Sequence, residues 1–260
     1  MRSFLQLLLL LCIFSILFFL LRFYGYILGY NVSTLVLDVG GLAYLYSTVG
    51  TMFSVFAAFI IVSEYQDWNK LSAATSGEVQ SLNEVLLWSR KLKKDLSDRF
   101  SRAIQKYLTT AIDKEWPLLS TGEECPDIDA VLDELHDLVS ETESENAEIA
   151  SHIFVVLQDL LNRRSVRIEY SWQPLPIILK FTVFAITLAL MGLSFLIGVN
   201  NMWLDYTFML CIVSLGAMVL IVIDDLDNPL RPGQWCLTTN GHKRLLTRME
   251  ALGENNTSAK

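Results

Sequence analysis

Hydrophobic positions along this chain follow two patterns. In four stretches they run nearly unbroken, and between the second and third stretches they recur at helical spacing in a polar background. Over residues 4–21, 15 of 18 are Leu, Ile or Phe, long and apolar enough for a helix across a bilayer. A signal peptide has a shorter apolar run that ends in small residues. Here the run leads into Arg22-Phe23-Tyr24-Gly25-Tyr26 with no Ala-x-Ala, so it reads as an uncleaved span of about residues 4–22. A second span covers about 42–63. A third, about 176–198, begins after Pro174-Leu175-Pro176, since proline is tolerated in a first helical turn. Lys180, one turn inside, can extend its amine to the interface. The fourth span, about 204–223, follows so short a loop (199–203) that the last two must form an antiparallel hairpin.

The second span differs in kind. On a helix of 3.6 residues per turn, Ser47, Gly50, Thr51, Ser54, Ala57 and Ala58 fall on one side, and Val49, Met52, Phe53, Phe56, Phe59 and Ile60 on the other. Small and hydroxylated residues let backbones approach closely, so the first face is expected to pack on another helix. The bulky face turns to lipid, to protein or to a pore. In a symmetric ring, Val49, Met52, Phe53, Phe56 and Ile60 would form a hydrophobic neck that gates by dewetting. Ordinary lipid-facing or core surface is the alternative. Just beyond, Glu64, Asp67 and Lys70 read either as charged rings at an inner mouth or as interfacial residues paired with Arg163 or Arg164. Asp38, before Gly40-Gly41, reads as a turn residue.

Between the spans the period is helical. Phe100, Ala103, Ile104, Tyr107, Leu108, Ala111 and Ile112 make one amphipathic stripe. It is expected to end at Glu115-Trp116-Pro117, because the residue before proline is pushed out of helical geometry. Ile128, Val131, Leu132, Leu135, Leu138 and Val139 make a second stripe, and Ala150, Ile153, Phe154, Leu157, Leu160 and Leu161 a third, with Ser144 the candidate N-cap. Leu71, Ala74, Leu82, Val85 and Leu86 carry the second span onward as one long helix. No segment alternates with period 2, so no sheet is expected. Each helix alone is marginal in water, and the stripes are expected to bury one another. Residues 249–260 read as a disordered tail.

Composition and charge sharpen this. Hydrophobic residues make up 52% of the 260 and charged residues only 18%, with mean hydropathy +0.39, against about 25% charged in a soluble domain. That excludes both a purely soluble enzyme and a bundle buried in lipid throughout. Net charge is −8, and residues 64–175 hold 12 Lys/Arg against 21 Asp/Glu, the wrong sign for a nucleic-acid partner. Arg2, Lys70, Arg163, Arg164, Arg167, Arg231, Lys243 and Arg244 lie to one side, while the two opposite loops have no basic residue beyond Arg22. By the positive-inside rule both termini and the polar domain are cytoplasmic, in a multi-pass protein of a cell inner (plasma) membrane.

Reactive chemistry is sparse. His136, His152 and His242 have no partner at metal-ligand or triad spacing, and no phosphate loop, dinucleotide fingerprint or nucleophile elbow occurs. Cys12, Cys125, Cys211 and Cys236 suggest neither a disulfide framework nor a zinc site. The 13 acids in residues 113–148 read as a solvated face, with a calcium site or acidic docking surface as the functional alternative, although no D-x-D-x-D-G loop is present. Asp224, Asp225 and Asp227 crowd a helix C-terminus, where the dipole prefers cations. They call for Arg or Lys contacts or a metal, with Arg favoured.

Several residues then stand out in combination: Glu78-Val79 with Leu82 after the second span, Tyr107, Glu115-Trp116-Pro117, and Leu226-Asp227-Asn228-Pro229-Leu230 with Gly233 after the fourth. In this order and in a two-plus-two topology, over about residues 35–245, they resemble the bestrophin-like membrane protein family of prokaryotes and plastids. The closing segment looks like that family's L-D-x-P-[FL]-x-G signature. The name of the family rests on likeness to bestrophins, and the resemblance implies a pentameric anion channel with a calcium clasp near the Asn-Pro segment. This chain departs from the clasp: Asp224, Asp225 and Asp227 precede Asn228-Pro229, and Arg231 follows. Those three are therefore only a weak calcium candidate.

The expectation is an all-α protein with four transmembrane helices. Residues 1–63 hold the first two spans, 64–173 a cytoplasmic helical domain, 174–224 the hairpin, and 225–260 a cytoplasmic segment and tail. Its partners are the bilayer, ions and further copies of itself, with no cofactor, no enzymatic activity and no nucleic acid. The expected function is a bestrophin-like homo-oligomeric ion channel, anion-conducting and lined by the second span. The alternative is a non-conducting anchor or sensor presenting its acidic domain to a protein partner.

Overall fold

The computed structural model describes residues 2–28, 39–119, 121, 123, 125–197 and 201–258. Among them every regular element is helical. Helix α1 spans Arg2–Leu28, α2 Val39–Ser89, α3 Lys94–Thr110, α4 Trp116–Leu118, α5 Pro126–Glu145, α6 Ala147–Trp172, α7 Ile177–Ile197, α8 Met202–Asp227 and α9 Asn240–Ser258. Three helices are long and apolar enough to cross a membrane, namely Gly40–Ser89, Ile177–Ser194 and Met202–Asp227, and Leu8–Leu21 forms a shorter apolar stretch. Asp38 and most of the loop between α7 and α8 lie outside the described residues.

The chain divides into two compact units, residues 1–66 with 174–235, and 67–173 with 236–260. In the first, Phe14 and Phe18 of α1 pack on Met209 and Val213 of α8, and the Ser15 and Tyr206 hydroxyls hydrogen-bond at 2.8 Å. Helices α7 and α8 cross closely, because a Cβ at Gly216 would lie 2.6 Å from Thr187 Cγ2. Ile60 of α2, Leu175, Val183 of α7 and Ile223 of α8 form a further cluster.

The second unit is a helical bundle with an ordinary hydrophobic core. Leu82, Val85 and Leu86 (α2), Phe100, Ile104 and Leu108 (α3), Ile128, Val131 and Leu135 (α5), Ile153, Leu157 and Leu160 (α6), and Leu245 and Met249 (α9) are all buried in it. Apart from Leu245 and Met249 these belong to the expected stripes; of the stripe residues Ile112 and Leu161 are half-buried, and Phe154 is exposed beside His136. Burying a Leu, Ile or Phe side chain stabilises by about 1.5–3 kcal/mol, which explains why helices that are weak alone hold together.

Three local expectations are corrected. The helical run ends at Leu118, one residue past the expected Glu115-Trp116-Pro117, but not for the expected reason. Trp116 keeps helical dihedrals (φ −56°, ψ −42°), and the chain widens into a π-helical turn over Ala111–Glu115. Pro117 follows within α4. The cap of α6 is Asn146, whose side chain accepts from the amides of Glu148 and Ile149 at 3.1 and 3.2 Å, while Ser144 lies inside α5 and bonds back to Glu141. The expected tail instead extends α9 to Ser258, because Leu245 and Met249 anchor that helix on the core.

Candidate functional site

At one end of the second unit's core lies a patch of buried charge. Glu78 of α2, Tyr107 of α3, Glu115 of the π-helical turn, Arg167 of α6 and His242 of α9 are each at most 1% exposed. The π turn has a clear part in this: α-helices rarely widen except where function or packing needs a side chain re-aimed, and here the last residue of the turn is Glu115. Arg167 Nε donates to Glu78 Oε2 at 2.5 Å and its Nη2 to Glu78 Oε1 at 3.2 Å. The same Nη2 donates to Glu115 Oε2. Glu115 Oε1 accepts from Arg164 Nε at 2.8 Å, and Arg164 Nη1 reaches Asp129 of α5 at 2.8 Å. Glu78 Oε1 also accepts the Tyr107 hydroxyl at 3.0 Å and lies 3.1 Å from His242 Nε2. Trp116 closes the group, with the Arg167 guanidinium 5.7 Å from its ring centre and the His242 ring edge-on at 5.9 Å.

Burial alone pushes the Glu78 carboxyl up, but Arg167 and His242 overcome it and hold it at about 2. Burial and the Glu78 charge both raise the Tyr107 phenol well above its ordinary value, so it remains a donor. Burial disfavours the Arg167 cation, yet Glu78 and Glu115 keep it charged. Only Arg167 Nη1 and His242 Nδ1 lack a partner among the described buried polar atoms. The group is therefore an ion-paired clasp joining α2, α3, α6 and α9, with its carboxylates fully engaged.

Sequence alone had singled out Glu78, Tyr107, Glu115, Trp116 and Pro117, and the first four converge here. It had missed the two residues that complete the site. In the sequence Arg167 bears only on membrane orientation, and His242 has no partner at metal-ligand or triad spacing. The partner is Glu78, 164 residues away, beyond any spacing rule.

The second motif segment lies at the end of α8. Asp227 accepts the Lys180 amine and the Leu175 amide, and its Oδ2 accepts Asn228 Nδ2 at 3.2 Å. The cation is thus a lysine, not the expected arginine, and Lys180 turns to this carboxylate. Asp225 Oδ2 accepts the Gln234 amide at 2.9 Å. Among the described residues no group of three His, Cys, Asp or Glu is placed to hold a metal; Asn228 Nδ2, which bonds Asp227, also bonds the Asp224 carbonyl oxygen at 3.0 Å. Pro229 is buried. Gly233 is needed because a Cβ there would lie 1.7 Å from Asp225 Oδ1. Gly233→Ala is expected to turn Asp225 away from Gln234 and to cost about 1–3 kcal/mol. Thermal unfolding of that variant beside Asp225→Ala and the double variant checks this, the double being expected to cost no more than Asp225→Ala alone.

The faces of α2 differ from expectation. Ile60, at 1% exposure, belongs to the chain's own packing, and so is not available to a pore. Phe53 and Phe56 pack half-buried on the same cluster, Val49 is half-buried, and Ala57 is buried. Gly50 approaches Leu190 of α7. The chain's own helices thus cover a face drawn from both expected sides. Two exposed rows remain: Met52, Val55, Phe59 and Val62 on one flank, and Ser47, Thr51, Ser54 and Ala58 on the other. Further along α2, Lys70 donates to Asp67 at 2.9 Å and reaches Tyr170 at 3.3 Å, while Glu64 is half-buried. Arg163 and Arg164 pair with other acids, Asp159 and Glu115 with Asp129.

Residues 38–231 match the family model of the bestrophin-like domain. No curated protein matches the sequence. Two solved point variants of a bacterial bestrophin homologue from Klebsiella pneumoniae share this fold. One has TM-score 0.71 at 12% identity, with 96% of this chain and 100% of that chain covered. The other has TM-score 0.70 at 13% identity, with 96% and 99% covered. A structure described only as a membrane protein variant reaches TM-score 0.72 at 12% identity, over 97% and 98%.

Proposed function

The chain belongs to the bestrophin-like family, and from that premise we propose that it is a homo-oligomeric ion channel of a cell membrane, lined by α2 and conducting anions. Four spans cross the bilayer, at about residues 4–22, 42–63, 176–198 and 204–223, with both termini and the polar unit in the cytoplasm. The observation that carries the reading is the pair of rows left exposed on α2. A lipid-facing helix has no use for a row of Ser47, Thr51, Ser54 and Ala58. Such a row lets a neighbouring helix approach closely. With that row against the next subunit, Met52, Val55 and Phe59 fall toward the symmetry axis and form a dewettable neck, with Val49, Phe53 and Phe56 behind them as support. Ile60 drops out of the lining first expected. Preference for anions is carried by the family resemblance, and the fully paired carboxylates of the buried clasp contribute no free negative charge to oppose it.

The test is ion flux in liposomes containing the purified protein, with Phe59→Ala and Met52→Ala beside it. Flux in the parent and a rise of about tenfold or more in either variant is the expected result, since a smaller side chain lowers the dewetting barrier. Flux that is absent from parent and variants alike leaves the non-conducting anchor as the surviving reading. Flux that ignores both substitutions removes the neck from this row.

A further inference from the structure

Helix α9 buries one side and leaves the other without a partner. His242, Leu245 and Met249 face inward. Opposite them, Asn240, Lys243, Arg244, Thr247, Arg248 and Ala251 line an open groove of about 610 Å³. Lys243, Arg244 and Arg248 are all exposed, and among the described residues none is paired with a carboxylate. Elsewhere in this unit Arg99, Lys106, Lys114 and Arg163 each have a carboxylate partner, in a chain with eight more acids than bases.

Helix α5 carries acids that could meet this row. Its Asp127, Glu134 and Glu141 are taken by Lys114, Lys106 and Arg99. Asp133 and Asp137 are left exposed and unpaired, one turn apart. Arg244 and Arg248 are also one turn apart, so both rows repeat at about 6 Å. Helix α3 packs against both α5 and α9, yet the two rows do not pair within the chain.

We propose that the basic row of α9 docks on the Asp133 and Asp137 row of α5 in a second copy of this chain. The inference rests on the homo-oligomer reading and names a contact within it. A surface on one helix that meets a different surface on the next copy repeats head to tail, and closes a ring when the rotation between copies closes. Exposed pairs are individually weak, so the row fixes register and orientation between subunits more than it binds them. A nucleic acid is disfavoured as occupant by the acid excess of the chain as a whole.

A zero-length carbodiimide, which joins an amine to a carboxylate with loss of water, reads this contact on full-length protein in detergent. The expected product is a Lys243 amide to Asp133 or Asp137 in the cross-linked dimer. Co-expressing a chain carrying Asp133→Asn and Asp137→Asn with one carrying Lys243→Gln leaves only a link between copies possible, and that link is expected to persist. Its yield is expected to fall at least about fivefold in ~0.5 M salt, where exposed charges are screened. Light scattering accompanies the cross-linking. An oligomer without this link overturns the docking contact while the homo-oligomer stands. A monomer overturns both.

Discussion

Arg167→Met is expected to destabilise the unit formed by residues 67–173 and 236–260 by about 3–5 kcal/mol, the usual cost of removing one partner of a buried ion pair. Arg167 is fully buried and is the cation shared by Glu78 and Glu115. Without it Glu78 keeps only the Tyr107 hydroxyl and His242, and Glu115 keeps only Arg164. Methionine is similar in bulk, so the loss is electrostatic and not a cavity. Lys106→Met provides the contrast. Lys106 and Glu134 form an exposed pair, 58% and 46% accessible, which is worth about 0–1 kcal/mol. Urea unfolding of the full-length protein in detergent, followed by helical signal, compares the two. Equal midpoints for Arg167→Met and Lys106→Met would show that the clasp does not hold the bundle.

The clasp also marks where sequence reading succeeded and stopped. Stripes such as Phe100, Ile104, Tyr107 and Leu108 were legible because a 3.6-residue period needs only local order. The motif residues Glu78, Tyr107 and Glu115 were legible as a set, through a family resemblance, but not as neighbours. What joins them is Arg167, 89 residues from Glu78, and a cation at that separation has no periodicity. Pro117 misled for a related reason. The rule for residues before proline describes an isolated chain, and here the turn over Ala111–Glu115 widens to bring Glu115 to Arg167 and Arg164. On α2 the faces were drawn by side-chain size. The helix instead buries the side that α7 and α8 reach, which takes Ile60 and Ala57 together.

Glu78 carries the second large expectation, in the acid range. Its carboxyl is held at about 2 in the folded protein against an ordinary value of 4.5. A depressed folded value contributes stability that is present above the unfolded value and is lost as pH falls through the folded one. The window is therefore from about pH 4.5 down to about pH 2. The displacement corresponds to about 3 kcal/mol across that window, at roughly 1.4 kcal/mol for each unit. The groups facing Glu78 are the Arg167 guanidinium, the Tyr107 phenol and His242. Arg167 stays charged and Tyr107 stays protonated throughout that range, so protonation of Glu78 itself sets their contact with it. Glu78→Gln keeps an acceptor for Tyr107 and Arg167 but cannot titrate. It is expected to be the less stable protein at pH 7 and to converge on the parent as pH approaches 2. Urea midpoints at half-unit pH steps measure this. Parallel curves across pH 2–5 would mean that Glu78 is not held ionised by Arg167 and His242, and that the buried clasp is not the charged group its geometry describes.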